Sequence, residues 1–179
     1  MRVELAAKRY AQAAFEIALE RDDVDAWLRD LQTLADLAAQ PGVLGVLESN
    51  RIGGEEKERL LAAGLSGVGP LALNLARLLV DKGRFALADQ VREEFAGLVD
   101  EHRGLAHGSI VTAVELSDAE KEQVAGRLGE ILGKKVLLES EVDPAIIGGM
   151  VARVGDRLID GSARTKLLAL KKELEAGRR

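Results

Sequence analysis

The sequence predicts a mainly α-helical protein of two domains: a six-helix bundle over residues 1–104 and a small α+β domain over residues 105–179. Three observations carry this. The first 104 residues hold 35 of the 55 Leu and Ala and all five aromatics, Tyr10, Phe15, Trp27, Phe85 and Phe95. The remaining 75 have no aromatic, but 12 Val and Ile against 10 in the longer first part. Charge divides at the same place, with 13 basic and 18 acidic residues before it (net −5) and 12 of each after it. Leu and Ala favour helix and β-branched residues favour strand, so the two parts belong to different structural classes.

In the first part, Ala6, Tyr10, Ala13, Ala14 and Ile17 follow the spacing of one helical face. Val24, Trp27, Leu28, Leu31, Leu34, Ala35 and Ala38 repeat it, and Pro41-Gly42 ends that helix. A short apolar piece spans Val43 to Leu47. Glu55, Glu56 and Glu58 open a fourth helix, where carboxylates suit the positive end of the helix dipole, and Leu60 and Leu61 face inward. Leu71, Leu75, Leu78 and Leu79 mark a fifth helix, stopped near Gly83. Phe85, Ala88, Val91, Phe95, Leu98 and Val99 mark a sixth. Short connections make such helices antiparallel neighbours in a bundle.

In the second part, Ile110, Thr112, Val114 and Leu116 alternate as a strand. Ser117 and Glu120 have capping-box spacing ahead of a helix carrying Val124, Leu128, Ile131 and Leu132. Strands are expected over Val136–Val142 and Gly149–Val154, with a hairpin at Gly155-Asp156 leading to Leu158 and Ile159. Ser162 caps a last helix bearing Leu167, Leu170 and Leu174. The order is β-α-β-β-β-α.

Composition excludes much chemistry. The chain has no Cys, so it offers no disulfide, thiolate ligand or cysteine nucleophile. Its two histidines, His102 and His107, leave little for a zinc site or a histidine-centred triad. Net charge −5 argues against nonspecific nucleic-acid binding. The longest uncharged run, Leu60 to Ala76, contains three glycines and a proline and is shorter than the ~20 apolar residues of a membrane helix. With no signal segment at the N-terminus, a soluble chain is expected, meeting membranes only through a partner.

Several motifs have plain explanations. Gly133-Lys134-Lys135 lacks the upstream glycine and following hydroxyl of a phosphate loop. Gly126-Arg127-Leu128-Gly129 has the spacing of the RNA clamp of KH domains but lies within a helical apolar period. An acidic adaptor binding RNA through this segment is the alternative function, weakened by the absence of strand aromatics for base stacking. Asp156, Asp160 and Ser162 suit turn and cap roles better than a hard-cation site, and Glu139, Glu141 and Asp143 lie along a solvated strand edge. The last 18 residues carry six bases (Arg164, Lys166, Lys171, Lys172, Arg178, Arg179) against two acids. That excess complements a helix C-terminus and offers a docking surface for an acidic partner helix. No cofactor, metal or catalytic residue is expected.

Three stretches together resemble a known family. Arg9-Tyr10-Ala11-Gln12-Ala13-Ala14-Phe15 resembles its first helix, and Asn74 to Leu79 with Asp81-Lys82-Gly83-Arg84 resembles the end of its fifth helix. The most specific run is Asp143-Pro144-Ala145-Ile146-Ile147-Gly148-Gly149-Met150, followed by Gly155-Asp156-Arg157-Leu158-Ile159-Asp160-Gly161-Ser162 and Leu167. It is similar to the C-terminal signature of the delta subunit of F-type ATP synthases, the counterpart of the mitochondrial oligomycin-sensitivity-conferring protein. Ala163 departs from the pattern, where the family usually carries a larger aliphatic residue.

The resemblance implies a non-catalytic stator subunit of a proton-driven ATP synthase, bacterial in type, peripheral to the cytoplasmic face of the cell membrane. It implies one copy per complex and a monomer when alone. The bundle would hold the N-terminal helix of an alpha subunit between its first and fifth helices, through Tyr10, Ala13, Ala14, Leu75, Leu78 and Leu79. The C-terminal domain would meet the C-terminal region of the b-subunit stalk. Gly148, Gly149, Gly155, Asp156, Asp160, Gly161 and Ser162 would be structural signature residues, the glycines allowing close backbone approach and a tight turn. Nucleic acid and direct membrane insertion are not implied.

Overall fold

The structure is a computed structural model describing residues 2–155 and 157–176, with the side chains of 2–4, 173, 175 and 176 left out of account. Asp156, Arg178 and Arg179 lie outside the described residues. The chain is mainly helical, with a small four-stranded sheet in its C-terminal part. It divides into two compact units, Met1–Val99 and Asp100–Arg179. That boundary falls within the last helix of the first unit, five residues before the composition change.

Six α-helices precede the sheet: α1 (Arg2–Glu20), α2 (Val24–Ala39), α3 (Val43–Leu47), α4 (Gly54–Gly64), α5 (Pro70–Asp81) and α6 (Ala88–His102). Phe85, expected to begin the sixth helix, instead forms a 3-10 turn over Phe85–Leu87 and plugs the core. Two helix ends are set locally. Gly83 takes φ +60° and donates to the Val80 carbonyl at 2.9 Å, while the Arg84 amide reaches Leu79 at 2.8 Å, closing α5 in a left-handed cap. At its start, Pro70 occupies the first turn and the Gly69 amide donates to Asp30 Oδ2 at 3.0 Å, tying α5 to α2. The core joins Leu31, Leu34, Leu61, Leu79 and Val91 with a three-ring cluster. In it, Phe95 meets Phe15 edge-on at 5.8 Å and stacks on Trp27 at 6.2 Å.

The second unit has the strand order β2-β1-β3-β4, with β1 Leu105–Thr112, β2 Lys135–Val142, β3 Met150–Val154 and β4 Arg157–Asp160. β1 and β2 are parallel, joined through α7 (Asp118–Leu132), and the other pairs are antiparallel. Ile110, Val136, Ala152 and Val154 line the sheet face that packs with Leu128 of α7. The expected capping box is present: the Ser117 hydroxyl accepts from the Glu120 amide at 3.4 Å and the Ser117 amide donates to Glu120 Oε2 at 2.9 Å. The final helix, α8, runs Ala163–Ala176.

The first strand begins and ends earlier than its alternation suggests. Thr112 turns its hydroxyl onto the Val114 carbonyl at 2.7 Å, and its own carbonyl accepts from the Asp143 amide at 2.8 Å. That arrangement leaves Val114 exposed and places Leu116 beyond the strand.

Candidate helix-docking surface

Helix α1 carries two apolar stripes of identical spacing. Ala7, Ala11, Ala14 and Ala18 are buried. Ala6, Tyr10, Ala13 and Ile17, about a quarter of a turn round the helix, run from half-buried to exposed. Small side chains on the inner stripe let α1 lie close against its neighbours, which turns the larger Tyr10 and Ile17 to the flank. Helix α5 repeats the arrangement, with Ala72, Ala76 and Leu79 inward and Leu71, Leu75 and Leu78 on the flank. Leu78 is 42% exposed. Arg84, in the turn after α5, donates through Nη1 to the Tyr10 hydroxyl at 3.3 Å. The turn that ends α5 is thereby tied to the flank of α1.

Two residues expected in the contact lie inward. Ala14 is 3% exposed and Leu79 fully buried, so both pack in the core cluster of this unit. Tyr10, Ala13, Leu75 and Leu78 keep part of their surface open. Sequence spacing did not separate the stripes on α1, because each satisfies the same helical period one residue apart. Leu71 belongs with the α5 flank through its i, i+4, i+7 relation to Leu75 and Leu78. The Arg84 contact spans 74 residues and has no local sequence signal. Beside this surface, Arg77 of α5 grips Glu58 of α4 through Nε at 2.9 and 3.1 Å. That hydrogen bonding holds the Glu58 carboxyl below its usual range.

The signature glycines and polar groups of the second unit form a latch. Gly149 has φ +77°, and a Cβ there would collide with the Gly161 carbonyl oxygen. The Gly161 amide donates to Met150 and the Ala163 amide to Gly148, each at 2.8 Å, joining the start of β3 to the start of α8. Asp160 Oδ1 accepts from the Ser162 amide at 2.9 Å and Oδ2 from the Thr165 hydroxyl at 2.7 Å. The Ser162 amide, then the Thr165 hydroxyl, hold the Asp160 carboxyl below its ordinary range. Buried Ser162 caps α8 by accepting from the Thr165 amide at 3.2 Å. Gly155 turns the β3–β4 hairpin at φ +56°. Thr165 was missed in the sequence, although its position three residues after a cap serine marks it as a first-turn partner. Ile147 was missed too, at φ +69° and largely exposed.

The RNA clamp does not form. Gly126 and Gly129 lie inside α7, and Gly129 is needed because a Cβ would sit 2.8 Å from the Lys134 carbonyl oxygen. Among the described residues no three His, Asp or Glu side chains converge on a metal position. Nor is any described helix long and apolar enough to cross a membrane.

The architecture is thus a helical unit with open apolar flanks, followed by a helix-backed sheet whose last helix is latched at its start. The family model described as ATP synthase delta (OSCP) subunit matches residues 6–174. Similar proteins include the ATP synthase subunit delta of Dehalococcoides mccartyi strain 195, 38% identical over 177 residues, covering 99% of this chain and 98% of that one. The subunit delta of Desulfotalea psychrophila is 35% identical, covering 98% of each. In fold, the chain is similar to one in the Toxoplasma gondii mitochondrial ATP synthase hexamer, with TM-score 0.63 and 19% identity over 94% of this chain and 96% of that one. The chain belongs to the ATP synthase delta (OSCP) subunit family. It is a non-catalytic subunit of that complex.

Proposed function

We propose that this chain is the stator subunit joining the catalytic head of an F-type ATP synthase to its peripheral stalk, so that proton-driven rotation is coupled to ATP synthesis. It works at the cytoplasmic face of the cell membrane, peripherally, with one copy per complex and a monomeric free state. Residues 1–104 act as a six-helix bundle that takes the N-terminal helix of the alpha subunit, and residues 105–179 take the C-terminal region of the b subunit. The observation that carries the head contact is the pair of solvent-open flanks, Tyr10 and Ala13 on α1 with Leu75 and Leu78 on α5. An amphipathic helix lying along them buries apolar surface on both, and Ala13 allows close backbone approach. A stator must resist torque, and a preformed apolar surface binds without the cost of ordering its own backbone.

Calorimetric titration of the full chain with a peptide of the alpha N-terminus tests this. Binding is expected, and its absence overturns the head contact. Trp27 is only 4% exposed and stacked on Phe95, so its fluorescence reports the fold of the bundle better than the binding event.

A further inference from the structure

Helix α8 is left almost bare. It is fixed at its N-terminus by the Ser162 cap and the Ala163–Gly148 hydrogen bond, yet none of its described side chains is buried. Leu167, Leu168, Leu170 and Leu174 are 56%, 52%, 51% and 67% exposed. Three of the four leucines are ordered. Ala163, Leu167, Leu170 and Leu174 follow the alternating four- and three-residue steps of a heptad seam, with Ala163 and Leu170 at d and Leu167 and Leu174 at a. The flanking e and g positions are Arg164, Lys166, Lys171 and Glu173, three bases and one acid. Those flanks choose partners in paired helices.

We propose that α8 docks an acidic amphipathic helix of a partner protein, whose apolar a/d seam packs on the leucines and whose Glu or Asp flanks meet Arg164, Lys166 and Lys171. A helix of 14 residues is marginal alone, near the ~12–15 residues below which helices fray in water, so it gains order from such a partner. A second copy of the chain fits less well than an acidic helix. A parallel pair sets Lys166 against Lys171, and an antiparallel pair sets Arg164 against Lys171 and gains only Lys166 against Glu173 in return. An anionic membrane surface fits less well, because α8 has no aromatic to anchor in the interface and its seam is only one leucine wide. This deepens the stalk contact proposed above and rests on that reading for the partner's place in the complex, but not for its chemistry.

The test uses the full chain and two synthetic 21-residue helical peptides with Leu at a and d, one with Glu and one with Lys at e and g. Calorimetry at low ionic strength should show binding of the Glu peptide only. Leu170→Asp should weaken it by about tenfold or more. The triple reversal Arg164→Glu, Lys166→Glu, Lys171→Glu should switch the preference to the Lys peptide. Far-UV circular dichroism and amide exchange in the four-stranded sheet verify that the variants fold, and every changed side chain is exposed. Equal binding of the two peptides, binding of neither, or a reversal that leaves the preference unchanged overturns the proposal. So does binding of phosphatidylserine vesicles, lost on Leu170→Asp, with no binding of the Glu peptide. The cytosolic part of the b subunit separates the two claims. If it binds the triple variant as well as the parent, the stalk contact stands and the α8 proposal falls. If the peptides behave as expected and the b subunit does not bind, the α8 surface stands and the stalk contact falls.

Discussion

Gly149 and Gly161 face each other so closely that a methyl group on the first would overlap the carbonyl oxygen of the second. One residue on, the Gly161 amide bonds the Met150 carbonyl at 2.8 Å. The most specific stretch of the sequence is therefore a backbone-to-backbone latch, and its glycines need no ligand to explain them.

Gly149→Ala should be strongly destabilising, since it adds a collision to a backbone angle of φ +77° that only glycine adopts freely. A loss above about 2 kcal/mol is expected, combining left-handed strain with backbone displacement. Gly155→Ala is the control. Its φ is also positive, at +56°, but nothing lies within 4 Å of the added methyl, so a loss of about 1 kcal/mol is expected. Urea unfolding followed by far-UV circular dichroism measures both.

Asp160 makes part of the latch pH-dependent. Its folded pKa is lowered by the Ser162 amide and the Thr165 hydroxyl, so its contribution is complete above the ordinary Asp value and is lost as pH falls through the lowered folded value. Asp160→Asn should be less stable than the parent at neutral pH, and the two should converge only once pH has fallen below the lowered folded value, where the parent carboxyl is protonated in both states. Urea midpoints at several pH values show this. A gap that stays constant down to acid pH would mean that the Asp160 charge is irrelevant to the latch.

Neighbouring leucines on α5 should behave oppositely. Leu78→Asp keeps the fold, because Leu78 is 42% exposed, but should weaken the alpha peptide by about a hundredfold by placing an unpaired charge against its apolar face. Leu79→Ala should cost about 2–5 kcal/mol of stability by opening a cavity under a fully buried side chain. Calorimetry reads the first and Trp27 fluorescence during urea unfolding the second. Undiminished affinity in a folded Leu78→Asp protein would put Leu78 outside the contact.

Local chemistry was legible and neighbour-dependent choices were not. Ser117 with Glu120, Ser162 ahead of α8, and Gly83 past α5 announce themselves because each works on backbone within a few residues of itself. The rotation of α1 was hidden, since 7-11-14-18 and 6-10-13-17 are equally periodic and only the packing of other helices selects the alanines. The burial of Leu79 against Leu78 was hidden for the same reason. The end of β1 at Thr112 depends on the Asp143 amide, 31 positions away. Ile147 was invisible because β-branched residues rarely adopt φ +69°, so nothing in its identity announces a turn.

The capping box offers a last check in which sequence and structure agree on mechanism. Ser117→Ala removes the acceptor of the Glu120 amide and also the hydroxyl that donates to Glu120 Oε2 at 2.7 Å. A loss of about 1 kcal/mol is expected, typical of deleting an N-cap side chain. Because that hydroxyl, with the Ser117 amide, holds Glu120 below its ordinary pKa, the same change should raise the Glu120 value toward normal. NMR titration of the Glu120 carboxyl measures the shift, and amide exchange in the first turn of α7 measures the fraying. A Glu120 titration identical in parent and variant would mean that the Ser117 amide alone sustains the box.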